Sequence, residues 1–422
     1  MASDDASGAR HALTYSDALD ALLALVSPRG VEQVALEQSI GHALARPIVS
    51  PVSLPPWDNA GMDGYALRRA DVAGASRLSP VSLRVVGTIT AGADPRALPV
   101  VAAGEAVRIM TGAPVPAGAD AVIRIEDTDG GELLVNVRDT RDSVGRANVR
   151  PRGEDVAQGD ALFSAGDTVR AAHVGVFASV GAERVDVYRR PRVMLLSGGD
   201  ELVLLDRFAE VVDGRRIVAS STYALPPLLR AAGADVTVAP LVPDTLADTM
   251  HAIELAMASS SDVLITTGGV SVGAHDYTRE ALVQLGGTID FWRAKIRPGG
   301  PIGVGRMGSM TWIGLPGNPV SSMVTATLFA WPMLRKLGGH SITSHRTITT
   351  TFRDHYDTPA ALTYFVRVSL TRRDDGGFDA RLSGPQGSNL LHTIAVADAL
   401  MMVPEEVSAA SDGDTFDVVL LT

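Results

Sequence analysis

Three glycine-rich loops carry the residues best suited to chemistry in this 422-residue chain. Ser197-Gly198-Gly199-Asp200-Glu201 follows the apolar run 193–196. Thr267-Gly268-Gly269-Val270-Ser271-Val272-Gly273 follows 263–266, and Leu315-Pro316-Gly317-Asn318-Pro319-Val320-Ser321 follows 311–313. Each reads as a short strand handing over to a helix. In an open parallel sheet such loops gather along the carboxyl edge, where ligands bind. Glycines let main-chain N–H groups come close to an anion, and the helix N-termini that follow favour negative charge.

Acids stand beside these loops. Asp200 and Glu201 end the first, Asp244 follows Pro243, and Asp276 closes Gly273-Ala274-His275. Helix capping accounts for each one alone. Three strand ends offering carboxylates to one edge point instead to a metal and a pyrophosphate. Cysteine is absent, and none of the nine histidines has the pair spacing of a zinc helix. The expected metal is therefore a hard cation on carboxylate and phosphate oxygens, with magnesium the natural choice.

The stretch 291–301 is basic. Strand alternation puts Arg293, Lys295 and Arg297 on one face, within about 14 Å of each other. A charged edge strand is the plain reading; in a chain of net charge −11 an oxyanion explains the concentration better. Thr111, inside 108–116, and Asp155, inside 148–155, sit in loops that read by themselves as ordinary turns, as does 386–389. No serine–histidine–acid arrangement can be argued from order or spacing, and His275 reads as structural.

The balance of charge argues against general nucleic-acid binding and requires a locally basic pocket for an anionic small-molecule substrate. Lysine occurs only at 295 and 336, so arginine must supply most cation contacts. No apolar run reaches membrane-span length. The first ten residues read as neither signal nor transit peptide, and a cytoplasmic protein is expected.

The elements that must position these residues follow from periodicity. A helix is expected over 15–25, capped by Ser16 and Asp17, with a second helical pattern over 36–44. Residues 80–150 alternate as a small β unit. After the Pro/Arg cluster at 188–192, strands 192–196, 235–240, 262–267 and 311–315 alternate with helices 222–232, 244–258, 276–285 and 319–336. That order predicts a three-layer α/β sandwich. Short β segments return over 345–422.

Taken in order, 59–66, 108–116, 152–155, 197–202, 268–277, 297–299 and 315–321 resemble the molybdopterin molybdotransferases, the MoeA-type enzymes to which the gephyrin E domain is similar. The resemblance spans the chain from about residue 12 onward. Met62-Asp63-Gly64-Tyr65-Ala66 and Gly314-Leu315-Pro316-Gly317-Asn318-Pro319 are its most specific motifs. It implies an α/β plus β, multi-domain fold. An N-terminal region (12–187) would consist of a linking domain, about 12–58 and 150–187, with a β-rich insertion at about 59–149. A molybdopterin-binding α/β sandwich (188–338) and a C-terminal β-barrel (339–422) would follow.

It also implies a homodimer with its active site between subunits, and a magnesium-dependent reaction. Molybdate enters adenylylated molybdopterin and AMP leaves. Contacts with the molybdopterin adenylyltransferase and with acceptor molybdoenzymes are implied too. Asp63, Thr111 and Asp155 match partner-side positions. Glu201, Asp244 and Asp276 match acidic, metal-side positions, while Arg293, Arg297, Arg367 and Ser388 match molybdate-side ones. The glycine loops, including Gly198, Gly199, Asp200, Gly268, Gly269, Ser271, Gly273 and 316–321, are expected to hold the substrate.

The chain departs from the family pattern at several positions. Gly198 stands where threonine is usual, Arg293 and Arg297 replace lysines, and Gly300 replaces another, with Lys295 as a candidate compensation. Ser220-Ser221 replaces an asparagine, and Thr245 replaces an aspartate. The Arg and Glu that usually lead into the Arg367 strand are missing. Two rival functions follow: an adenylyltransferase or pyrophosphate hydrolase on a related nucleotide-linked substrate, and a scaffold that has lost catalysis.

Overall fold

The computed structural model describes residues 12–139, 147–270, 277–359 and 361–421. They fall into two compact units. The larger takes the chain up to Arg46, then Ala165–Ala171 and everything from Arg184; the smaller holds Pro47–Ser164 and Ala172–Glu183.

The larger unit contains a six-stranded sheet. Strands Asp235–Val238, Arg192–Ser197, Val263–Thr267 and Met310–Leu315 lie side by side in that order, all parallel. Two antiparallel strands, Pro301–Met307 and the edge strand Thr288–Arg293, complete it. Side chains alternate across the sheet, so each strand feeds two cores. Val193, Leu195, Val263, Ile265, Ile313 and Leu315 face one layer, with Leu225, Leu229, Val324 and Phe329 from helices. Leu196, Leu264 and Trp312 face the other, against Ile253, Ala256, Ala281 and Leu282. The expected three-layer sandwich is present; the antiparallel pair at its edge is an addition that the strand–helix rhythm did not announce.

Three element expectations need correction. Helix Tyr15–Ala24 is capped by Thr14, whose hydroxyl accepts Asp17 N at 3.2 Å, and not by Ser16 or Asp17. The pattern over 36–44 yields only the 3-10 turn Leu36–Gln38, because Ala43 and Leu44 are buried in β bridges. The last sandwich helix is broken by a π turn, Ala326–Ala330, between Pro319–Thr325 and Trp331–Leu337. There His345 Nε2 lies 3.0 Å from the Thr327 carbonyl, a partner beyond the helix for a backbone group at the bulge.

At the C-terminal end, strands Thr363–Arg372, Phe378–Leu382, Thr347–Phe352, Thr415–Leu420 and Ala399–Val403 pair in a ring that closes on itself as a barrel. Ile296–Arg297 adds to its Thr363–Arg372 strand. The smaller unit carries a five-stranded sheet whose alternation again feeds two cores, Tyr65, Leu67 and Ile123 on one face and Ala66, Val107 and Val122 on the other. No helix among the described residues is long and apolar enough to cross a membrane.

Candidate active site at the carboxyl edge of the sheet

Register brings the three glycine loops together. Ser197, Thr267 and Leu315 are aligned across adjacent parallel strands, so the loops that follow start about 5 Å apart. Thr267 Oγ1 donates to Ser197 Oγ at 2.9 Å, and Gly268 N donates to the Leu315 carbonyl at 3.0 Å. Beyond them opens a cleft of about 720 Å³. Gly198, Gly199, Glu201, Asp244, Gly268, Gly269, Gly317, Asn318 and Pro319 all line it, as does the start of helix Ser220–Ala231.

Two backbone constraints shape this wall. Gly268 and Gly269 have φ of +79° and +66°, a region that side chains disfavour. Gly198 needs glycine for a different reason: a Cβ there would lie 2.9 Å from the Val242 carbonyl oxygen. The threonine usual at this position cannot enter this backbone without displacing the 242–244 segment, which explains the departure.

Asp244 is fixed from both sides. Its Oδ2 accepts Asp200 N at 3.1 Å, and its own N–H donates to Asp200 Oδ1 at 3.3 Å. Asp200 thus serves the backbone and is absent from the cleft lining. Thr245 caps helix Leu246–Ala258 through Asp248 N, so this departure from the family pattern has a local structural role. Asp276, Ser271 and Gly273 lie outside the described residues. Among the described residues no group of three metal-binding side chains is assembled; Glu201 and Asp244 are the acids in the cleft.

The basic residues lie outside this cleft. Arg293, Lys295 and Arg297 are exposed and Ala294 and Ile296 buried, but the three cations do not share one strand face as expected: Arg293 ends the sandwich's edge strand, Lys295 lies in the bend after it, and Arg297 belongs to the short strand paired with Thr363–Arg372. None of the three cations has an ion pair among the described residues, and none lines the cleft. Arg297 lies over the Tyr364 ring at 5.8 Å. Burial raises the pKa of the Tyr356 phenol, while the charges of Arg297 and Arg367 act on it in the opposite sense. Arg367 is fully buried; Nη2 donates to the carbonyls of Pro385 and Gly387, whereas Nε and Nη1 have no partner among the described residues.

The 384–390 loop connects Arg367 with the cleft. Val320 N donates to the Ser388 carbonyl and Asn318 Nδ2 to Ser388 Oγ, both at 3.2 Å, and Asn389 and Leu391 line the cleft. Pro316 and Ser321 are buried beside it, with the Ser321 carbonyl taken by Thr325 Oγ1. The apolar wall of Leu202, Ile217 and Val218 was not read from the sequence. Its strands have two residues each, too short for a periodic signal.

In the smaller unit, Asp63 Oδ1 accepts both Thr111 N and Thr111 Oγ1 at 2.7 Å. The side-chain bond first, then the backbone bond, holds the Asp63 carboxyl below its ordinary pKa. Asp155 is exposed on a loop tied by its N–H to the Leu54 carbonyl.

Comparison with known proteins gives this arrangement its family. Residues 13–181 match the MoeA N-terminal region (domain I and II), 194–336 a "probable molybdopterin binding domain", and 351–421 the MoeA C-terminal region (domain IV). Molybdopterin molybdenumtransferase 2 of Mycobacterium tuberculosis is 36% identical over 397 residues, covering 92% of this chain and 95% of the relative. The chain belongs to the MoeA family. A Nostoc molybdopterin molybdenumtransferase is 38% identical over 318 residues, covering 75% of this chain and 71% of the relative. The crystal structure of the molybdopterin biosynthesis moeA protein from Pyrococcus horikoshii OT3 superposes with a TM-score of 0.83 at 25% identity, covering 97% of this chain and all of that one. In this MoeA-type chain the three glycine loops fall in the second matched segment and Arg367 and Ser388 in the third.

Proposed function

We propose that the chain is a molybdopterin molybdenumtransferase: it inserts molybdate into adenylylated molybdopterin and releases AMP, giving molybdenum cofactor. The observation that carries this reading is the single cleft in which three glycine loops meet Glu201 and Asp244, in a chain whose curated relatives bear that name over most of its length.

The loops supply main-chain N–H groups for the phosphates. Glu201 and Asp244 offer oxygen donors of the kind magnesium takes, and Asp276 is assigned to the same ion by resemblance. Bound there, magnesium would neutralise charge on the phosphoanhydride as it breaks. Asp200 sets the backbone of the Asp244 loop and so the position of its carboxylate. We assign the tetrahedral dianion to Arg367, whose buried Nε and Nη1 have no partner among the described residues. Arg293, Lys295 and Arg297 provide the positive field that draws the anion in.

We assign Asp63, Thr111 and Asp155 to the partner half of the site in a homodimer, with the domain limits near 58, 149, 187 and 338. Incubation with adenylylated molybdopterin, magnesium and molybdate tests the reading. AMP and molybdenum cofactor should form in equal amounts. AMP without cofactor would establish the hydrolase instead, and neither product would leave the scaffold.

A further inference from the structure

Arg367 is a fully buried cation with two donors left open. Buried charged donors without acceptors are costly, so the surroundings must hold the guanidinium there against that cost. The contacts that do so come from the 384–390 loop, and one side chain sets the register of that loop. Gln386 Oε1 accepts Arg367 N at 2.9 Å, while Gln386 Nε2 donates to the Arg367 carbonyl at 3.1 Å and to the Gly384 carbonyl at 2.8 Å. The amide pairs both backbone groups of Arg367, as a neighbouring antiparallel strand would. The loop then continues to Ser388, which meets Asn318 Nδ2 and Val320 N at the cleft.

We propose that Gln386 is a positioning residue for oxyanion binding. It fixes the loop against strand Thr363–Arg372 so that Pro385 and Gly387 take Nη2 of Arg367, Nε and Nη1 stay without a protein partner among the described residues, and Ser388 rests on the cleft loop. The inference rests on the molybdate reading above. Gln386 acts through Arg367 and Ser388 and does not itself touch the anion.

The test uses the full chain with Gln386→Met, which keeps side-chain length and removes all three bonds, and Gln386→Asn, one methylene too short to span them. Molybdate affinity by calorimetry, KM for molybdate, kcat for AMP release at saturating molybdate and Tm are measured together. Kd and KM should rise about 10- to 100-fold, the range for residues that orient a ligand-binding group, with kcat little changed and Tm lowered by the Arg367 N–H left unpaired. A folded Gln386→Met with unchanged KM would overturn the proposal, as would kcat falling in step with Tm. If Gln386→Met does not fold, Gln386→Asn is held to the same two outcomes. Failure of the underlying reading looks different: wild type would not bind molybdate, or Arg367→Ala would bind it as tightly as wild type.

Discussion

Asp200 and Asp244 hold each other's backbone, each carboxylate accepting the other's N–H, at 3.1 and 3.3 Å. This exchange ties the loop after strand Arg192–Ser197 to the loop after Asp235–Val238. It occupies Oδ2 of Asp244 and leaves Oδ1 without a protein partner among the described residues, on a residue that lines the cleft.

The two aspartates should therefore separate in their effects. Asp244→Asn keeps an acceptor for Asp200 N but loses the negative charge, so AMP release should fall about 100-fold with Tm unchanged. Asp200→Ala should lower Tm and raise the magnesium concentration needed for half-maximal rate, with a smaller loss at saturating magnesium. Steady-state assays over a magnesium series, beginning with chelator-treated protein, check both. Equal losses in the two variants would refute the division of labour.

Gly198 makes a prediction from space alone. With a Cβ held 2.9 Å from the Val242 oxygen, Gly198→Thr should cost about 1–3 kcal/mol of stability and weaken AMP release through the displaced Asp244 loop. Urea denaturation checks the first effect. A variant as stable as wild type would show that the 242–244 segment yields freely.

His340 is buried between Thr168 Oγ1, at 2.8 Å from Nδ1, and Arg335 Nη1, at 3.3 Å from Nε2. Burial, followed by the charges of Arg335, His42 and Arg190, pulls its pKa down from 6.5 to about 3. The unfolded state then binds a proton that the folded state refuses between those values. Stability from this group is complete above pH 6.5 and lost as pH falls toward 3, by at most about 1.4 kcal/mol per pH unit. His340→Gln should flatten this slope between pH 6.5 and 4, measured by denaturation at several pH values; an unaltered slope would place the proton elsewhere.

Asp63 titrates in the same sense. Its pKa is depressed chiefly by the Thr111 hydroxyl, so its ionised form persists into acid and any benefit is lost as pH falls through the lowered value. Thr111→Val removes that bond and keeps the backbone one. The Asp63 carboxyl should then protonate at higher pH, seen by carboxyl-carbon NMR, and an unmoved titration would discount the hydroxyl.

How much of this was legible in the sequence depended on the range of the interactions. The glycine loops and Asp244 were readable because strand, glycine and helix succeed one another locally. Two-residue alternation gave the exposure of Arg293, Lys295 and Arg297 but not the break between them, because the chain leaves one sheet after Arg293 and joins the other at Ile296. Gln386 read as an ordinary turn because its partners lie on a strand 19 residues away, which no local pattern encodes. The 36–44 segment misled for the same reason, since the bridges of Ala43 to Thr168 and Leu44 to Val187 cover apolar side chains whose spacing mimics a helix. The family pattern flagged Gly198 as a departure, and only the approach of Val242 supplies its cause.

On the proposed function, the cleft of Gly198, Gly268 and Gly317 holds the diphosphate beside Asp244. A crystal structure of Asp244→Asn soaked with adenylylated molybdopterin tests it most directly. Diphosphate density against the main-chain N–H groups of these loops, within hydrogen-bond reach of the residue at 244, is the predicted result. A well-ordered ligand seated elsewhere, with the loops empty, would contradict it.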